Sequence, residues 1–458
     1  YCRWRIITDG NYDPSDTQDQ GWWLDDVIVY TCATPTNIDI KIGDQIRGSY
    51  FVPVNGKVTP RFYESGSTGL QTGPVKISST NGDLFFTSER VHFTGFDATK
   101  WTSFNEVMGY PTERLSTEYF FPWYDNLSMS TWILVGNPND TETAEVDIYI
   151  GGVLRGHYSI LPGQKVTPRY WLNDDAPRID EGLQTGPVRV LSTNGVKIFT
   201  SERVHFPLPP WTGFNEVMGY PVEELDTEYW FPWYDNKAMA NWILVGNPTT
   251  DQTAEVDIYI GGVLQGHYSI LPQGKATPRY NNLVGGPVRV VSTNGVKIFT
   301  SERAHYPATG WKDFNEVMGV PLSKITTSYV YTWYDNLDMK AEILVTNPSS
   351  SQIAKVQINI AGEIMDQFDL AAGQTVFKQF FANGATSGTG YRNGPVKIIS
   401  TNDVPIVTSE RTQYKNQSAA SYTGFEDLMG YPMNQLSDEY WFTWYDNRSM
   451  AAWVLVGR

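Results

Sequence analysis

The tetrapeptide Trp-Tyr-Asp-Asn occurs at Trp123–Asn126, Trp233–Asn236, Trp333–Asn336 and Trp444–Asn447, at spacings of 110, 100 and 111 residues. Between these marks the same words return in the same order. AEVDIYIGG stands at Ala144 and Ala254, matched by IDIKIGD from Ile38 and AKVQINIAG from Ala354. TPRY or TPRF follows at Thr59, Thr167 and Thr277, then GPV at Gly73, Gly186, Gly286 and Gly394. TSER ends at Arg90, Arg203, Arg303 and Arg411, and each unit closes with FNEVMG from Phe104, Phe214 and Phe314 or FEDLMG from Phe425. Such a chain must fold as copies of one unit. The period is too long for a solenoid and suits a separately cored β-sandwich of about seven strands. The expected fold class is all-β, a tandem array of antiparallel β-sandwich modules.

Local patterns agree. Val146, Ile148 and Ile150 alternate with Asp147 and Tyr149, as in a half-buried strand, and Gly151-Gly152 supplies the positive-φ residues of a two-residue hairpin. Asn194-Gly195 between PVRVLS and VKIFTSER predicts a second hairpin. The passage from FPWYDN to WILVGNP predicts a third. The expected repeats are 37–120, 121–230, 231–330 and 331–439. Their joints lack the Gly/Ser or Pro-rich composition of flexible tethers and carry aromatics, with a short helical turn expected after Pro221. Neighbouring modules are therefore expected to pack into a stiff rod.

The net charge of −16 disfavours nucleic acid and anionic membranes as partners, since both attract clustered Lys and Arg. There is no run of 18 apolar residues to span a bilayer. The two cysteines, Cys2 and Cys32, bracket a two-strand pattern; a disulfide between them would indicate an oxidising, extracellular setting, and two buried free thiols are the alternative. The chain opens at Tyr1 without a Met, as a processed or truncated end would.

The ends are unequal. The first repeat begins at IDIKIGD without the usual WYDN hairpin before it, whereas residues 440–458 form that hairpin with no repeat behind them. Three explanations stand: the Cys2–Cys32 hairpin fills the gap within the chain, the spare hairpin of one molecule completes the first module of the next, or the chain is a fragment. The second is head-to-tail strand complementation, with Tyr440, Phe442, Trp444, Trp453 and Leu455 as the assembly contacts.

RWRIITD and GWWLDDV, within residues 1–36, resemble the last two strands of MAM-like jelly-roll domains that follow the catalytic parts of some secreted bacterial metalloproteases. The words FPWYDN, WILVGNP, GPV, TSERV and FNEVMG, which cover nearly everything after Asn37, resemble uncharacterised tandem modules in large secreted proteins of filamentous, Chloroflexi-type bacteria. That resemblance implies a surface location and no particular activity.

Candidate sites carry two readings each. Glu89, Glu202, Glu302 and Glu410 stand beside the TSER arginines, as general acids or as structural ion pairs that fix register. The structural reading is preferred, because four copies of a dyad with no nucleophile or metal-ligand set make poor chemistry. The five histidines, at 92, 157, 205, 267 and 305, show no zinc-ligand spacing. Asp25-Asp26 and the acidic loop from Asp174 to Asp180 could hold calcium, solvated loops being the plainer account; no other cofactor or metal is expected. Trp123, Trp132, Trp233 and Trp242 could form flat glycan platforms or seal the joints between modules, with Glu342 breaking the pattern in the third hairpin. The expected protein is a non-enzymatic structural component of an extracellular cell surface, a stalk, fibre or sheath subunit that self-associates or meets other surface proteins. A multivalent carbohydrate-binding adhesin is the alternative.

Overall fold

The computed structural model describes residues 35–64, 69–93, 102–172, 182–206, 212–306, 313–382, 389–414 and 424–458. The Cys2–Cys32 pair, the jelly-roll-like segment and both candidate calcium loops lie outside the described residues.

The second module shows how one repeat folds. Val153–Ile160, Ala144–Ile150, Val188–Ser192, Glu118–Phe121 and Tyr220–Pro221 form, in that order, a five-stranded sheet. Lys165–Val166, Ser130–Gly136, Phe199–Phe206 and Gly213–Met218 form a four-stranded sheet, and Tyr124–Asp125 pairs with Gln184–Thr185 as a small ribbon. All pairings are antiparallel. The chain is thus all-β, with more and shorter strands per repeat than the seven expected. Tyr119, Phe121, Ile133, Val146, Ile148, Val190 and Ile198 fill the space between the sheets.

The strand Ala144–Ile150 alternates buried and half-buried residues as its sequence requires, and Gly151 and Gly152, at φ 58° and 77°, make the tight turn into Val153–Ile160. Val222–Glu224 is the expected helical turn, of the 3-10 type, after Pro221. The other two expected hairpins need correction. Val188–Ser192 and Phe199–Phe206 flank Asn194-Gly195 but belong to different sheets. Gly195 adopts positive φ while Asn194 is not among the residues that do, so the mirror-image turn of a hairpin does not form. The Asn194 side chain instead donates to the Thr143 carbonyl at 2.8 Å and accepts from the Glu145 N–H at 3.2 Å, pinning a corner between sheets. FPWYDN is a second such corner, since Glu118–Phe121 and Ser130–Gly136 also lie in different sheets.

Modules three and four repeat this plan. Module one does so with a chain break inside it. Glu439–Phe442 pairs with Val75–Ser79 and Tyr110–Pro111, Tyr445–Asp446 with Gln71–Thr72, and Met450–Gly457 with Phe86–Phe93 and Lys57–Val58. Residues 440–458, expected as an orphan hairpin, therefore complete the first module of their own chain. Tyr440, Phe442 and Leu455 are buried, and Tyr440 donates to the Phe85 carbonyl at 2.7 Å. The two ends of the described chain meet at Asp83, whose Oδ2 accepts from Arg458 at 2.6 Å and from Thr36 at 3.4 Å.

The modules do not form a rod. The strands Ser103–Met108, Gly213–Met218, Asp313–Met318 and Gly424–Met429 touch in sequence, and the last touches the first, so the four units close around a common axis. The inner sheets stand around that axis like the blades of a propeller. The reason lies in the FNEVM word, which carries polar residues on both sides of a strand; such a strand is stable only where both faces meet hydrogen-bonding neighbours.

Candidate functional site

Because each inner sheet lies between two neighbouring modules, its central strand has no solvent face. Phe199–Val204 and His205 are buried, as are their counterparts in the other modules apart from the half-buried Gln413 of module four. On one side Ser201 bonds Glu216 Oε1 and Thr443 Oγ1 of module one, both at 2.6 Å. On the same side Arg203 grips Glu216 through Nε at 3.0 Å and through Nη2. Arg90 and Glu106, Arg303 and Glu316, and Arg411 and Asp427 repeat the pair. The TSER arginine thus finds the acid of FNEV on the adjacent strand.

The TSER glutamate points the other way, into the next module. Burial raises the pKa of Glu202 well above the carboxylate range; the Glu316 charge adds to this and Arg303 opposes it. Glu89, Glu302 and Glu410 are raised likewise, each by burial first and then by the acid of the following module. All four side chains are buried at the joints, where the charged form of each is disfavoured.

The WYDN and TPRY words prove to be one device. Tyr124 accepts the Tyr170 N–H at 2.7 Å and donates to the Thr131 carbonyl at 3.1 Å. Asn126 accepts from Arg169 at 2.6 and 2.8 Å and donates to the Tyr170 carbonyl at 2.8 Å, while Asp125 caps its own turn by accepting from Leu127 and Ser128. The cis Gly186-Pro187 peptide packs against this corner; a Cβ on Gly186 would stand 2.7 Å from the Pro122 carbonyl.

Trp of WYDN seals the joint. Lys275 of module three places Nζ 3.3 Å from the ring centre of Trp123 of module two, Lys165 does the same to Trp444 at 3.2 Å, and Lys57 to Trp333 at 3.3 Å. Burial lowers these lysines to about 8, about 7 and about 8 in that order, with a neighbouring arginine contributing. At the remaining joint Thr375 replaces the lysine, and Phe377 packs edge-on against Trp233 at 4.7 Å. Trp132 and Trp242 carry Arg169 and Arg279 over their rings at 4.7 and 4.6 Å. All four candidate glycan tryptophans therefore have protein groups packed on their rings. Trp453, likewise, lies under Arg61 at 4.8 Å.

The histidines divide. His92 and His205 are buried at joints, where burial, and then nearby arginines, lower them to about 3. His157 and His267 are exposed and raised, each held by an aspartate, Asp147 or Asp257, at 2.7 Å.

Sequence reasoning missed the axis. Asn105 Oδ1 accepts the Glu216 N–H at 3.1 Å, Asn215 that of Glu316, and Asn315 that of Asp427 at 3.2 Å. Glu426 occupies the fourth position and receives the Glu106 N–H. Each module thereby bonds the next, around to the start. One layer away, Asp313 accepts from Ser103 at 2.6 Å and from the Phe425 N–H at 2.8 Å, and burial pushes it up to about 8. Below these layers a cavity of about 200 Å³ opens on the axis, walled by the four Met-Gly-Tyr/Val-Pro segments. Arg114, Glu224, Lys324 and Gln435 stand at its rim, and Glu224 is paired to both cations. The signal available was the asparagine at the same place in three FNEVM copies. No group of three or more His, Cys, Asp or Glu able to hold a metal occurs among the described residues, and among them no helix is long and apolar enough to cross a membrane.

No family model matches the chain, and no curated protein matches it. Among solved structures it is similar to an anti-sigma factor domain-containing protein, over 88% of this chain and 98% of that one, at 8% identity and a TM-score of 0.15. A likeness of that strength carries no argument about function.

Proposed function

We propose that this chain is a non-catalytic structural unit of an extracellular surface, a ring that serves as the subunit of a sheath, fibre or stalk and self-associates. The observation that carries this reading is the closure of module one by Glu439–Gly457. Its register runs over eight residues from Met450↔Phe93 to Gly457↔Phe86, and the pairing joins segments more than 300 positions apart in the chain. A two-strand segment seated this way within one copy fits the same edges in a second copy, so exchange links ring to ring. Burial of the TSER acids in the joints and the covered tryptophan rings support a structural over a glycan-binding role.

Light scattering on the full chain, before and after refolding at high concentration, tests it. Linked oligomers that vanish when 439–458 is deleted are the expected result. A chain that stays monomeric at every concentration and after every refolding overturns the assembly reading.

A further inference from the structure

A cavity of about 280 Å³ lies in the joint between modules two and three. Trp123, Met129, Phe206 and Trp242 are among its apolar walls, with Asp125, Ser128, Thr277, Arg303 and His305 as polar members. It has room for a molecule of about ten non-hydrogen atoms. Two donors at this cavity lack strong acceptors. The indole N–H of Trp123 is buried and meets no acceptor among the described residues, and Arg303 Nη1 has the Met129 thioether at 3.8 Å, a weak acceptor.

The same set of residues recurs at other joints. The joint between modules one and two sets Trp444, Trp132, Thr167 and Arg203 at the corresponding positions, and the joint between four and one sets Trp333, Trp453, Thr59 and Arg90. The indole N–H groups of Trp444 and Trp333 are also buried without an acceptor. At the joint between modules three and four the set is broken: Glu342 replaces the second tryptophan and Phe377 replaces the threonine, with its ring packed on Trp233. Trp233 is not among the tryptophans with an unaccepted buried N–H. The fold therefore tolerates a filled joint, and three joints keep the Trp, Trp, Thr and Arg set with a donor left over. Glue alone favours the filled form, because an apolar void forfeits contacts on all its walls.

We infer that the joint between modules two and three is a binding site for a small, largely apolar molecule bearing one neutral acceptor, such as a carbonyl oxygen, which the Trp123 N–H and Arg303 would meet. A carboxylate fits less well, because Asp125 is also on the wall, its charge favoured by bonds from Ser128 and Gln184. The site belongs to the same joints as the structural reading but does not depend on it.

Titration of the full chain with acetophenone, benzoate and ethylbenzene, followed by ligand-observed NMR and calorimetry, tests the inference. Acetophenone should bind saturably and at least fivefold more tightly than the other two. Thr277→Phe, which copies the filled joint, should lower the bound stoichiometry while leaving the β-type circular dichroism unchanged. Trp123→Phe, which keeps an aromatic ring and removes the N–H, should bring acetophenone down to the ethylbenzene level. Absence of saturable acetophenone binding, equal affinity for ethylbenzene, or a stoichiometry untouched by the folded Thr277→Phe chain would each overturn it; if that variant fails to fold, the Trp123→Phe comparison decides.

Discussion

Asn105 Nδ2 lies 3.1 Å from Glu426 Oε2, so the first and fourth modules meet on the axis through an amide and an acid. The other three positions of this layer are asparagines, and the acid is the one member that titrates. Burial raises Glu426 well above the carboxylate range, with the Glu106 and Asp313 charges adding to the effect. In the folded chain it holds a proton that the unfolded chain releases near pH 4. Its contribution to stability is therefore present at acid pH and lost as pH rises toward the folded value. Glu426→Gln should leave stability near pH 4 unchanged and raise it at pH 8 by about 1–3 kcal/mol. Urea unfolding across that range checks this, and a parallel loss at both pH values would refute it.

His205 works in the opposite direction. Buried neutral, with a pKa lowered to about 3, it is protonated in the unfolded chain below about pH 6.5 and not in the folded one. Stability present above pH 6.5 is therefore lost as pH falls toward 3. Module four carries Gln413 at the equivalent place, so His205→Gln has a precedent within the fold. Thermal melts should show a shallower loss of Tm between pH 6 and 4 in the variant; an identical slope would count against the assignment.

The Arg303–Glu316 pair is buried on both sides, at 6% and 5% side-chain exposure. Replacing only the arginine strands a carboxylate beside Glu202. Arg303→Met should cost about 3–5 kcal/mol in denaturant unfolding, and adding Glu316→Leu should recover much of it. Independent, additive losses would contradict the pairing.

Lys275 and Trp123 belong to different modules and touch through charge and ring alone. A double-mutant cycle with Lys275→Met and Trp123→Leu should return a coupling of about 1 kcal/mol. The same cycle on Lys237, which is exposed in its turn, and Trp123 should return nothing measurable.

The repeat, the strand Ala144–Ile150, the Gly151-Gly152 hairpin and the turn after Pro221 were legible because each depends on contacts between residues close in sequence. Asn194-Gly195 misled because a turn signal reports that the chain reverses, not which sheet receives it. Phe199–Phe206 carries Ser201, Glu202 and Arg203 in a row, which gives no amphipathic period; a strand buried by neighbours on both faces leaves that trace, and only the partner modules explain it. Closure was harder still, because the match between Val456 and Thr87 is fixed by geometry accumulated over four modules. The candidate site was half legible. Trp123 and Trp242 stood out as aromatic, but the cavity between them belongs to two repeats at once and to neither word alone.

Arg458 and Thr36 both reach the carboxylate of Asp83. Thr36 and Arg458 thus share one doorway, on the rim of a single unit. Any polypeptide joined before Thr36 would emerge beside any polypeptide joined after Arg458. A ring wired in this way can be spliced into a longer thread as a pendant, leaving the course of its host unaltered.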